Sequence, residues 1–521
     1  MNARSCVFAV ALAGGLVAPA LAEGPGAKNI ILLISDGAGF NGWLTADYYQ
    51  GLVGQQSYQI ARPDGTVPVV MGLAHYALNL VDENGNVLRS GSDPANAAGA
   101  VSQGYDPIRR WDRFEGAFGN DYSPVSRSYT SYTDSAAAGT ALLAGRRTAN
   151  GRLNMDWTGK VPFRTIAEIA MEHGKAAGAV SSVQVSHATP AAVAAHNISR
   201  NNYAAIFNEM VGSGLTVIMG GGHPLYDHSG NSVKPQSDKA YRYVGGPRTW
   251  AKLTGPGLHG YTFIDDRRDF EALASGRNLP ERVVGVARVE ETLQAKRDGK
   301  GGGDTPSGMA FNGDVPSLAT MTVGALNVLA QDEDGFFLMA EGGAVDWMGH
   351  ANHMPRYIEE QIDFNLAVDA AIEWVETNSN WDETLLIVTS DHECGGIWGE
   401  GSYTNSVGGP VAASRSGEAI RSARFDPSED RFNGFLTVQD NGTGAMPGYQ
   451  FASGNHTNDL VPLWVLGAGA ETFSEFGSTD LKAAELWGDV YGWDGAFVEN
   501  TVVFHVMLEA LVGDAVGPSA R

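Results

Sequence analysis

Cysteine is almost missing from this chain, with two in 521 residues. Cys6 falls in a leading apolar segment that reads as cleaved, which leaves Cys394 without a partner. An intrachain disulfide is thereby excluded, and the fold must rest on packing and on metals. The paired cysteines of a structural zinc site are missing as well. Positive charge is also short: 35 Lys and Arg stand against 59 Asp and Glu, for a net charge of −24. That balance argues against nucleic acid or an anionic membrane as partner. Any anion-binding site must therefore supply its own local positive charge. Beyond the first residues no apolar run is long enough to span a membrane. No internal repeat and no domain-separating linker is visible.

What is present is ordinary globular composition, 43% hydrophobic and 18% charged, with ample material for a core. Met1 to Ala22 reads as a secretory signal: one basic residue (Arg4), an apolar run from Val7 to Leu16, and Ala20-Leu21-Ala22 as a small-residue cleavage site. The expected mature chain starts near Glu23, is exported to the periplasm or the extracellular space, and is soluble. Residues 23–521 read as a single α/β domain with large surface insertions at about 42–128, 224–317 and 402–448.

Short continuous apolar runs, of the kind buried in parallel sheets, occur at Lys28–Ser35, Ala176–Val185, Leu215–Met219, Gly335–Ala340, Thr384–Ser390 and Leu460–Leu466. Amphipathic helical segments lie between them at Ile166–His173, Pro316–Asp332 and Arg356–Thr377. Phe497–Leu511 reads as a closing helix, and Asp82 to Asn86 as a hairpin turn. Three runs end in acids: Asp36 after the first, Glu341 with Asp346 and His350, and Asp391-His392. Ligands bind in open α/β sheets at such strand ends. Asp346 and His350 are four apart, hence on one helical face, and can grip one ion. Further segments supply His456 and Thr189. Pro190 fits a first helical position with Thr189 as its N-cap. A cap explains Thr189 and a surface charge explains Arg200, and their eleven-residue spacing does not join them in one site.

Tyr132 to Gly145 is a helix-forming stretch in which Thr133 and Asp134 are good N-cap residues. Ser135 then sits in the first turn, where free N–H groups and the dipole favour negative charge on an alkoxide or a phosphate. A plain capped Ser/Ala helix is the simpler reading of that stretch alone. Several strand-end carboxylates mixed with histidines are hard to explain as turns. They suit catalytic zinc together with a hard ion such as magnesium. Two ions about 4 Å apart can clamp the attacking and leaving oxygens of a phosphoryl displacement.

Ser-Asp-Gly at 35–37, Thr-Asp-Ser-Ala-Ala at 133–137, Ala-Thr-Pro-Ala-Ala at 188–192 with Arg200, Glu341…Asp346…His350, Thr-Ser-Asp-His at 389–392 and Gly-Asn-His-Thr at 454–457 agree in order and spacing. In these segments the chain resembles the alkaline phosphatases of the metal-dependent serine type. The resemblance implies a three-layer, doubly wound, mostly parallel central sheet with helices on both faces. It implies hydrolysis of phosphate monoesters through a phosphoserine on Ser135. One zinc would be held by Asp346, His350 and His456. A second would be held by Asp36, Asp391, His392 and deprotonated Ser135. A magnesium would be held by Asp36, Thr189 and Glu341. Arg200 would bind two phosphate oxygens and Asp134 would orient it. A homodimer is the usual assembly. His187 and Trp347 stand where the best-known enterobacterial type has Asp and Lys, a pair resembling the marine and cold-adapted branch. That makes the third metal less secure. His353 is read as supporting or surface, and Cys394 as a small buried hydrophobe. Related two-metal diesterases and mutases generally lack the arginine, and a sulfatase motif does not fit at Ser135. A silent, exported metal- or phosphate-binding protein is the reading from another class.

Overall fold

A computed structural model describes residues 26–88, 93–102, 104–105, 132–299, 301–400, 402, 436–451 and 454–513. The signal segment and most of 402–448 lie outside these residues, as does the stretch 106–131.

The centre of the fold is an eleven-stranded sheet. In chain order its strands are β1 Asn29–Ser35, β2 Val69–Ala74, β3 Ala176–Gln184, β4 Val217–Gly221, β5 Thr262–Ile264 and β6 Val283–Val286. They continue with β7 Phe336–Gly342, β8 Thr384–Thr389, β9 Val461–Gly467, β10 Ser478–Thr479 and β11 Ala496–Glu499. In space the order is β10-β11-β2-β9-β8-β1-β7-β3-β4-β6-β5. From β8 through β5 every neighbouring pair is parallel. β9 runs antiparallel to both β8 and β2.

β1 is an unbroken apolar run because it is covered on both faces. Its odd residues Ile31 and Leu33 join one core, and its even residues Ile30, Leu32 and Ile34 the other. Successive strand side chains point to opposite faces, so the run feeds two hydrophobic layers. The first layer is completed by helices α1 Phe40–Gln50, α5 Leu318–Leu329 and α7 Met354–Asn378. The second is completed by α2 Ser135–Ala144, α3 Ile166–Glu172 and α8 Asn500–Val512. Two short helices, α4 Ala188–Ala191 and α6 Ala344–His350, lie beyond the ends of β3 and β7. The result is the expected three-layer α/β sandwich.

Three sequence expectations need correction. The supposed insertion 42–128 contains β2, which pairs with β9 and β11 inside the main sheet. It also contains most of α1, whose Trp43 and Leu44 are fully buried. The segment 224–317 likewise contributes β5 and β6. β5 and β6 have only three and four residues, and β2 pairs only with strands remote in sequence, so local pattern carries little signal. Phe497 opens the closing segment as part of β11, not as helix.

Candidate metal and phosphoryl-transfer site

Register brings the acids together. Ile34 of β1 is level with Thr389 of β8 and with Glu341 of β7, and Ser181 of β3 is level with Glu341. Asp36, Glu341 and Asp391 therefore emerge at one edge of the sheet, the carboxyl end of parallel strands. Close behind β1, Gly37 has φ +81°, and a Cβ there would stand 2.6 Å from the Asp346 Cα. Only glycine lets the first strand turn this near α6.

Asp346 and His350 share one face of α6, with His350 Nε2 3.4 Å from Asp346 Oδ1. His456 Nε2 lies 3.2 Å from the same oxygen and 3.1 Å from His350 Nε2. The opposite ring nitrogens are fixed by backbone: His350 Nδ1 pairs with Gly454 O at 2.8 Å and His456 Nδ1 with Thr133 O at 2.7 Å. Such carbonyl partners make Nδ1 the donor and leave the Nε2 lone pair facing inward, ready to bind a metal. His392 Nε2 is 3.4 Å from Asp36 Oδ1, 3.3 Å from Asp391 Oδ2 and 3.3 Å from Ser135 Oγ. The His392 and His456 rings stack with centroids 3.6 Å apart.

Ser135 opens α2 and is 1% exposed. The N-cap is Asp134, which accepts from Ala137 N at 2.9 Å through Oδ1. Its Oδ2 accepts from Gly151 N at 2.9 Å and from Arg200 Nη1 at 3.1 Å. Thr189 departs from its expected place. The N-cap of α4 is His187, and Thr189 is already helical. Its hydroxyl is buried beside Glu341 and caps nothing. His353 caps α7 by accepting from Arg356 N. His187 packs edge-on against Trp347 at 5.6 Å.

The electrostatics suit cations. Burial, then the neighbouring Asp391, Asp346 and Glu341, push the Asp36 carboxyl well above the usual range. Burial raises Asp391 to about 7 and raises Glu341 as well. Burial also opposes ionisation of Asp346, but His350 and His456 outweigh it and hold that carboxyl well below the usual range. Burial and then Arg200 lower His187 to about 3, so it is a neutral imidazole. Buried carboxylates this close repel one another unless positive charge lies between them.

The donor set tests the fit to divalent ions. Among the described residues, Asp36 Oδ1 and Oδ2, Thr189 Oγ1, Glu341 Oε1, Asp346 Oδ1, Asp391 Oδ2 and His392 Nδ1 are buried without a conventional hydrogen-bond partner. Unsatisfied buried oxygens are uncommon in folded proteins, and a cluster of them fits cations. Ligand atoms of Asp346, His350, Cys394 and His456 all lie within 4.8 Å of one another, as do those of Asp36, Asp346 and His392. Cys394 is the member that sequence reasoning sets aside. It is fully buried, paired in a short ladder with His456, and burial pushes its thiol up.

A cavity of about 580 Å³ opens onto this cluster, lined by Tyr132, Asp134, Arg200, His350 and His456 among others. The alkaline phosphatase family model matches residues 110–442. The chain belongs to the alkaline phosphatase family. It is a phosphoric monoester hydrolase. Among curated relatives, alkaline phosphatase 3 of Bacillus subtilis is 29% identical over 381 residues, 66% of this chain and 73% of that one. The Escherichia coli alkaline phosphatase is 30% identical over 306 residues, 53% of this chain and 63% of that one. The alkaline phosphatase of the Antarctic bacterium TAB5 shares the fold with a TM-score of 0.55 and 21% identity, covering 94% of this chain and 98% of that one. Among the described residues no helix is long and apolar enough to cross a membrane.

Proposed function

We propose that this alkaline phosphatase hydrolyses its esters through a phosphoserine on Ser135, at a site that holds two zinc ions and one magnesium ion. The supporting observation is the gathering of Ser135, the Asp134–Arg200 pair, carboxylates with unpartnered oxygens and the imidazoles of His350, His392 and His456 at one sheet edge. Asp346, His350 and His456 would hold one zinc; Asp36, Asp391 and His392, joined by Ser135, the second; Asp36, Thr189 and Glu341 the magnesium. Bound there, divalent cations supply Lewis-acid charge to the attacking and leaving oxygens.

The chain's own groups do the rest. Ser135 Oγ gives up its proton and attacks phosphorus from the first turn of α2. The ester P–O bond breaks and the alcohol leaves, its oxygen taking a proton from solvent, while the helix N-terminus favours the negative charge of both alkoxide and phosphoryl group. Arg200 holds two phosphate oxygens in its planar fork, and Asp134 keeps that fork in place. A water then attacks the phosphoserine and frees inorganic phosphate, restoring the Ser135 hydroxyl. His187 and Trp347 shape the wall beside the third metal position. A variant of the Antarctic enzyme with a histidine changed to aspartate holds magnesium in its M3 site. That supports reading His187 as a residue that influences the third metal. Export and dimerisation belong to the same reading.

The test compares a phosphate monoester with a diester at alkaline pH, before and after chelation and after zinc and magnesium are restored. Monoesterase activity that is lost and regained is expected. Dominant diesterase activity, or activity indifferent to chelation, overturns the reading.

A further inference from the structure

The cavity above the cluster is lined by a second arginine that the mechanism does not use, Arg152. Arg152 follows α2 on a loop tied down at both ends: its own N donates to Ala149 O at 3.3 Å, and Leu153 N donates to Asn197 O at 2.9 Å. The residue is 4% exposed and lines the same cavity as Arg200, Asp134, His350 and His456. Its Nε is buried without a partner. Among the described residues its guanidinium forms no ion pair and no hydrogen bond.

That condition is unusual for a buried arginine. Arg297, which is structural, donates to Ala310 O at 2.9 Å, Gln294 O at 3.1 Å, Met309 O at 2.8 Å and the Glu359 carboxylate at 2.8 Å. Arg152 has nothing comparable. The acids around it are already engaged. Asp134 serves Arg200 and two backbone N–H groups. Asp156 accepts from Lys160 N, Val161 N and the Thr158 hydroxyl of its own turn. Asp93 caps a short helical turn through Ala95 N. Burial opposes the Arg152 charge, and Asp156, Asp134 and Asp93 attract it without any of them standing in contact with it; a desolvated charge with no contacting counter-charge is costly. Here the missing counter-charge has room to enter from the cavity.

We propose that Arg152 determines specificity by receiving a second anionic group, carried on the alcohol portion of the phosphate monoester. This rests on the reading of Arg200 and the metal cluster as the seat of the phosphate. Ile198 and Pro94 line the same cavity and offer apolar surface for the spacer between the two anions. In a chain of net charge −24, a substrate with a second anion is repelled at long range, so a local guanidinium is needed to accept it.

The experiment measures competitive inhibition by alkylphosphonates and by the matching carboxyalkylphosphonates over a series of spacer lengths. The wild-type holoenzyme, Arg152→Gln and Arg152→Lys are compared. Each pair shares the phosphonate, so the ratio of its two inhibition constants isolates the carboxylate. A charge-assisted contact to arginine predicts that the wild type favours one carboxylated spacer by about tenfold or more. The Gln variant is expected to lose that ratio. The Lys variant should keep only part of it, because a point charge replaces the fork. No preference at any spacer in the wild type overturns the proposal, as does a ratio unchanged in the variants. Failure of the plain alkylphosphonates to inhibit the wild type would instead count against the phosphate-site reading itself.

Discussion

Arg200 Nη1 lies 3.1 Å from Asp134 Oδ2, and Asp134 in turn caps the helix that begins with Ser135. One carboxylate thus ties the phosphate-binding fork to the nucleophile's helix. Burial disfavours the charged guanidinium, and Asp134 outweighs it, so Arg200 is held above even the usual arginine value. It is a fixed positive charge at any working pH.

Arg200→Ala should raise the inhibition constant for inorganic phosphate by about tenfold or more, the scale of a charge-assisted hydrogen bond. Arg200→Lys should recover little of it, because an ammonium cannot span two oxygens. An unchanged phosphate affinity would remove Arg200 from the site.

His187 is neutral, buried and paired edge-on with Trp347, over which Lys296 Nζ stands at 4.5 Å. Among the described residues its Nδ1 has no partner, though it is buried. Replacing it with aspartate adds an anion beside carboxylates that already favour cations. His187→Asp should therefore raise the magnesium retained after dialysis, read by metal analysis against the wild type. Identical metal contents would show that His187 has no influence on the third position.

Most of this site is visible in the sequence because strand-end chemistry follows buried apolar runs. β1, β7 and β8 are continuous hydrophobic segments, and each leads directly into an acid. β2 and β6 escape notice for the opposite reason. Val69–Ala74 is only partly buried and carries Gly72, and Val283–Val286 has four residues, so tertiary pairing overrides a weak local pattern. Thr189 resembles a cap because Pro190 follows it, yet the helix begins two residues earlier than that reading places it, at Ala188. The positions of Cys394 beside the metal donors and of Arg152 in the cavity leave no trace in local pattern. What marks them is placement among groups remote in the chain, and no spacing encodes that.

Away from the site, Glu360 on α7 is 4% exposed. Burial, then Asp363, push its carboxyl up from 4.5 to about 8. The unfolded chain gives up this proton at the lower value, so the folded state binds more protons between the two. Stability from this group is fully present below about 4.5 and is lost as pH rises through about 8. Glu360→Gln removes the penalty. Thermal unfolding of the chelated protein should show little difference between variant and wild type at about pH 5. By about pH 9 the variant should be more stable by on the order of a few kcal/mol. An equal difference at both pH values would show that Glu360 is not the titrating group.

Ser135 Oγ faces His392 Nε2 at 3.3 Å from the first turn of α2, the position where the phosphoryl group is expected to attach. The direct measurement is to stop turnover of a phosphorus-labelled monoester in acid and locate the label by peptide mapping. A phosphoserine at position 135 is expected, absent from Ser135→Ala, which should keep its metal content while losing turnover. A label on another residue, or full turnover by Ser135→Ala, would contradict the account.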